Sequence, residues 1–87
     1  MNVLYSHEFQ KYFVKLPAKI QEKYREQEMR FKKNWRDKQL HIKKLSGHQF
    51  AFSFRITRRY RVFFYFHDPE TAIFFAIDHR KDAYRDL

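Results

Sequence analysis

Eighty-seven residues suffice for one domain, near the lower end of what a single hydrophobic core holds together, and the lack of cysteine excludes disulfides, thiolate nucleophiles and thiolate metal ligands. Eleven Phe, six Tyr and one Trp supply the burial instead, since each ring removes roughly 150–250 Å² from water. Nineteen Lys and Arg against ten Asp and Glu leave a net charge of +9, a field suited to a polyanion or an acidic protein partner.

Met1 to Tyr5 runs straight into polar residues, unlike a secretory signal. The longest apolar run, Val62 to Phe66, falls far short of the ~20 residues of a membrane span. A cytoplasmic protein without membrane contact is expected, with residues 1–87 forming one domain.

Asn2 to Tyr5 reads as a short strand. Ser6 suits a helix N-cap, with Glu8 near the positive helix end. Phe9, Tyr12, Phe13 and Leu16 then share one helical face. Pro17 breaks that helix and suits the first turn of the next. From there to about Lys33, Ile20, Tyr24 and Phe31, followed by Trp35, recur roughly every four residues among charged and amide side chains. The two segments are expected to form a helical hairpin with one face on a sheet and a solvated, charged outer face.

The period changes after about Leu40. Gly47, the only glycine, lies in the loop Ser46-Gly47-His48. Phe50, Phe52, Phe54 and Ile56 alternate with Ala51, Ser53, Arg55 and Thr57, a half-buried strand. Tyr60, Val62, Phe64 and Phe66 alternate in the same way with Arg61, Phe63 and Tyr65. His67 to Thr71 is a turn by composition, and Ala72 to Asp78 a third strand, apolar on both sides.

Burial sets the register of the first hairpin. A loop of Thr57 to Arg59 pairs Ile56 with Tyr60 and Arg55 with Arg61, whereas a two-residue turn at Arg58-Arg59 would push Arg61 into the phenylalanine face. Pairing Phe64 with Phe75 and Val62 with Ile77 then places Ile73, Phe75 and Ile77 in the core. Arg55, Arg61, Asp78 and Arg80 converge on the opposite face, with Asp78 beside Arg61 and with His79 and Tyr84 close in the chain.

Several guanidiniums on one sheet face suit a phosphate, because each offers a planar fork of donors and stays charged. A histidine that exchanges protons near neutrality and a tyrosine complete the parts for cleaving RNA without a metal. One group removes the proton of a ribose 2′-hydroxyl, arginines hold the developing negative charge, and an acid protonates the departing 5′-oxygen. DNA lacks that hydroxyl. His7, His41, His48 and His67 have no metal-ligand spacing, and no metal or other cofactor is expected.

Four stretches, Lys43-Lys44-Leu45-Ser46-Gly47, Ser53-Phe54-Arg55-Ile56, Tyr60-Arg61-Val62 and His79-Arg80-Lys81-Asp82-Ala83-Tyr84, are together similar to the RelE/ParE toxin pattern. The N-terminal strand, the Phe-rich helix, Leu16-Pro17 and the second helix extend the resemblance over nearly the whole chain. It implies an α+β fold: a four-stranded antiparallel sheet against an N-terminal helical hairpin, with a short C-terminal segment.

The resemblance also implies the toxin of a type II toxin–antitoxin system, an endoribonuclease that cuts mRNA in the ribosomal A site. A cognate antitoxin would silence it in a hetero-oligomer. Arg61 would stabilise the transition-state phosphate, and Arg80 would bind phosphate or support the leaving group. Tyr84 and His79 are the proton-transfer candidates. Arg55 stands where some members carry a catalytic lysine, and Ser53 where they carry a second one, a departure from the pattern. Lys43 and Lys44 would contact the RNA backbone. The superfamily also contains ParE-type poisons of DNA gyrase, and a third reading is a toxin fold that only binds its antitoxin or nucleic acid. His79, Arg80 and Tyr84 favour the nuclease branch.

Overall fold

A computed structural model describes residues 1–45, 47 and 50–79, with the side chains of all of these except 78 and 79. The chain runs β1 (Asn2–Tyr5), α1 (His7–Val14), α2 (Ala18–Lys33), a 3-10 turn (Lys38–Leu40), β2 (Lys43–Lys44), β3 (Ala51–Arg55), β4 (Tyr60–Asp68) and β5 (Thr71–His79). Among the described residues no helix is long and apolar enough to cross a membrane.

Local chemistry sets the helix ends. Ser6 caps α1, its Oγ accepting from the Phe9 amide at 3.0 Å. Pro17, with φ −56°, stands immediately before α2, and its carbonyl accepts from the amides of Ile20 and Gln21. The Gln21 amide group reaches back to the carbonyls of Phe13 and Leu16, at 3.0 and 3.3 Å, and so ties the end of α1 to α2.

Among the described residues the sheet has five strands in the order β1-β5-β4-β3-β2, and it is mixed. This corrects the expected four-stranded antiparallel sheet in two respects. β1 runs parallel to β5, with Asn2 opposite Thr71 and Tyr5 opposite Phe74, and Lys43–Lys44 adds a fifth strand against β3. Parallel neighbours need a long crossover. Here the helices provide it, passing from β1 at one edge to β2 at the other.

β3 and β4 pair as the burial argument requires, Phe54 with Val62 and Arg55 with Arg61, and the amides of Ile56 and Thr57 both donate to the Tyr60 carbonyl. The β4–β5 register differs from expectation. Val62 does face Ile77, but Phe63 faces Ala76 while Phe64 faces Phe74, which leaves Phe75 as an extra residue. The bulge brings Ala72 and Phe74 into the core in place of Ile73 and Phe75. A second shift at His67 lets β4 continue to Asp68. Phe50, expected on the core face, precedes β3 and is 78% exposed.

The core lies between the helices and the sheet. Phe31 of α2 is fully buried against Phe54, Phe64 and Phe74, with ring centroids 4.9–5.4 Å apart and two of the three contacts edge-to-face. Trp35, just beyond α2, covers Phe66 and Phe52.

Candidate nucleic-acid interface

The expected arginine face is not an open cationic surface. Arg61 is 2% exposed and Ser53 fully buried. Leu45 and Phe63 form a small second core on this side with Ala51, Phe75 and Ala76, so apolar packing surrounds the polar residues. The bulge at Phe75 contributes directly to it, since Phe75 lies 6.2 Å from Phe63 and 5.7 Å from Tyr65.

Within this face Arg61 is held in a fixed orientation. Its Nε donates to Ser53 Oγ at 2.8 Å, and its Nη2 donates to the His41 carbonyl and approaches the Ser53 carbonyl at 3.4 Å. His41 follows the 3-10 turn in the left-handed region, φ 50°. That reversal carries the chain from α2 into β2 and places the His41 carbonyl over Arg61. On the backbone ladder Arg61 has Arg55 on one side and Asp78 on the other.

Arg55 is partly buried, and its Nε is enclosed with no hydrogen-bond partner among the described residues. Lys43 and Lys44 are exposed on the edge strand, opposite Ser53 and Phe52. Charged residues on an edge also discourage pairing with another chain, a structural role that needs no ligand.

Gln27 was not singled out by periodicity, yet it joins three elements. Buried at 6% exposure, it donates to the carbonyls of Gln39 and Arg55 at 3.0 and 2.6 Å and accepts from Arg30 Nη1 at 2.7 Å. Its spacing between Tyr24 and Phe31 was the available signal, since the three share the buried stripe of α2. On the far side of α2, Glu28 accepts from the hydroxyls of Tyr5 and Tyr24 and lies 3.4 Å from Lys32. Burial, reinforced by the Glu28 carboxylate, pushes both phenols above their ordinary 10.0, Tyr24 further than Tyr5.

No protein-family model and no curated protein matches the sequence. Solved structures do match. The chain is similar to the RelB–RelE antitoxin–toxin complex from Methanococcus jannaschii at 22% identity, over 97% of this chain and 98% of that one, with a TM-score of 0.77. A YoeB/ParE toxin from Agrobacterium tumefaciens matches at 14% identity over 91% and 98%, with a TM-score of 0.73. The RelBE2 toxin–antitoxin complex from Mycobacterium tuberculosis matches at 25% identity over 91% and 96%, with a TM-score of 0.68. The chain has the RelE/YoeB toxin fold.

In this RelE-like fold, Ser53, Arg55 and Arg61 come together at the β3–β4 hairpin, and Lys43 and Lys44 border them through β2. The Ser53 departure has a local account: its hydroxyl is the acceptor for Arg61, a task a lysine ammonium cannot perform. His79 ends β5 opposite Tyr60 on the backbone ladder. Its side chain, together with Arg80 and Tyr84, lies outside the described residues.

Proposed function

We propose that the protein is the toxin of a type II toxin–antitoxin pair and acts as a ribosome-dependent mRNA endoribonuclease. The observation that carries this reading is the anchoring of Arg61 between Ser53 Oγ and the His41 carbonyl. A guanidinium held in this way does not have to reorganise when negative charge develops on a phosphate, which is the condition for electrostatic transition-state stabilisation. The RelE/YoeB fold and the antitoxin complexes of its structural neighbours support the toxin and antitoxin parts of the reading.

In the proposed reaction the ribose 2′-oxygen attacks the adjacent phosphorus and the 5′-oxygen departs, leaving a 2′,3′-cyclic phosphate. His79 or Tyr84 takes the 2′ proton, and the leaving oxygen receives one from the other or from solvent. Arg61 and Arg80 bear the charge of the cleaved phosphate, with Arg55 beside Arg61 on the ladder, and this chemistry requires no metal. At 2% exposure Arg61 meets a phosphate only when apolar side chains packed beside it move aside while its bonds to Ser53 and the His41 carbonyl are kept, so exposed Lys43 and Lys44 make the first contacts with RNA. Ser53 acts through Arg61 and not on RNA directly.

The test adds purified protein to ribosomes programmed with a defined mRNA and maps the cut ends, with and without ribosomes. A-site cuts ending in a cyclic phosphate, and lost in Arg61→Lys, are expected. A folded protein that cuts nothing, but traps gyrase on DNA, would overturn the reading.

A further inference from the structure

Beside the Arg61 face, α2, the 3-10 turn and the end of β3 border an open hollow of about 230 Å³, lined by Lys23, Glu26, Gln27, Arg30, His41 and Arg55 among others. We propose that this hollow binds a backbone phosphate of the RNA strand, as a second anion site next to the one at Arg61. The proposal takes the identity of the polyanion from the nuclease reading. The anion site itself stands on its own geometry.

Three permanent cations line the hollow against one carboxylate, and that carboxylate, Glu26, lies 3.6 Å from Lys23. Arg30 is steered by Gln27, whose Oε1 takes one of its donors at 2.7 Å. Gln27 is itself fixed by the carbonyls of Gln39 and Arg55. The buried Arg55 Nε has no acceptor among the described residues, and a buried donor of this kind favours an anionic oxygen. His41 connects the two sites: it lines the hollow while its carbonyl accepts from Arg61. A strand whose phosphate lies at Arg61 therefore passes this hollow, and that continuity favours RNA over an acidic peptide.

The test uses the whole protein and two probes. In the first, inorganic phosphate is titrated against chloride at constant ionic strength while backbone amides are followed by NMR. Saturable shifts at Lys23, Gln27 and Arg55 are expected, reduced in Lys23→Gln, a substitution at a side chain 61% exposed whose fold the same spectra check. In the second, an RNA strand with 2′-deoxy substitutions, which cannot be cut, is bound at several salt concentrations. Lys23→Gln and Arg30→Gln should each weaken binding and reduce the salt slope by about 0.7, one phosphate contact on a single strand. Phosphate shifts with an unchanged slope would mean a site for free phosphate and sink the RNA assignment. Shifts produced by a glutamate-rich peptide and not by phosphate would replace it with a peptide site. If mRNA cleavage fails while both expected results hold, the nuclease reading falls and the phosphate site remains.

Discussion

Arg61 and Ser53 are joined across β3 and β4 by a 2.8 Å hydrogen bond from Nε to Oγ, in a place where Ser53 is fully buried. The serine hydroxyl is one of the acceptors that let a guanidinium lie inside this face. Ser53→Ala removes the hydroxyl that accepts from the buried Arg61 Nε, at a cost of about 1–3 kcal/mol. Urea denaturation should show a lower midpoint at unchanged slope, and cleavage should fall with it.

Ser53→Lys, which restores the residue type that the RelE/ParE pattern carries at this point, should be worse. It buries a second cation beside Arg61 with no carboxylate partner among the described residues, and about 3–5 kcal/mol of destabilisation is expected. A stable Ser53→Lys protein in thermal denaturation would show that this face opens far more easily than its burial implies.

Gln27→Leu is nearly isosteric and apolar, yet it strips the carbonyls of Gln39 and Arg55 of their donor and Arg30 of its acceptor. The expected loss is about 2–3 kcal/mol, because these groups remain after the substitution. In hydrogen exchange, protection should fall first where the 3-10 turn meets the end of β3.

Phe31→Ala leaves a cavity at the meeting point of Phe54, Phe64 and Phe74. A loss of about 3–5 kcal/mol follows from comparable core truncations, and a domain of this size loses about 4–8 °C in Tm per kcal/mol. Calorimetry should find the cooperative transition lowered by tens of degrees or absent.

Alkali acts on Tyr24. Burial and the Glu28 carboxylate hold its folded-state pKa above the unfolded value of 10.0, so the unfolded chain loses its proton first. The corresponding stability is complete below about pH 10 and declines as pH rises beyond it. Tyr24→Phe should flatten that decline in a denaturation series from pH 8 to 11, whereas Tyr5→Phe, at a more exposed site, should flatten it less.

The comparison of sequence with structure turns on particular residues. Ser6 as a cap, the break at Pro17, the buried stripe of α2 and the period-two strands were all legible, because each follows from the chemistry of neighbouring residues. So was the Arg55–Arg61 register, since a shift of one residue would have sent arginines into the phenylalanine face. The placement of Ser53, Arg55 and Arg61 on one face was legible, as was Asp78 opposite Arg61 on the backbone ladder, while Arg80 and Tyr84 lie outside the described residues.

Tertiary structure alone decided the rest. The parallel pairing of β1 with β5 brings residues about seventy positions apart into register, and no local pattern encodes which sheet edge a short strand joins. The bulge at Phe75 was hidden because β5 is apolar on both sides, so alternation could not show which residue is skipped. Arg61 is held under the carbonyl of His41, and Leu45 packs on Phe63 of the same face, both from the segment between α2 and β3. Periodicity assigns a residue to a face; what covers that face is set by the packing of distant segments, and here that packing turned an expected surface cation into an enclosed and oriented one.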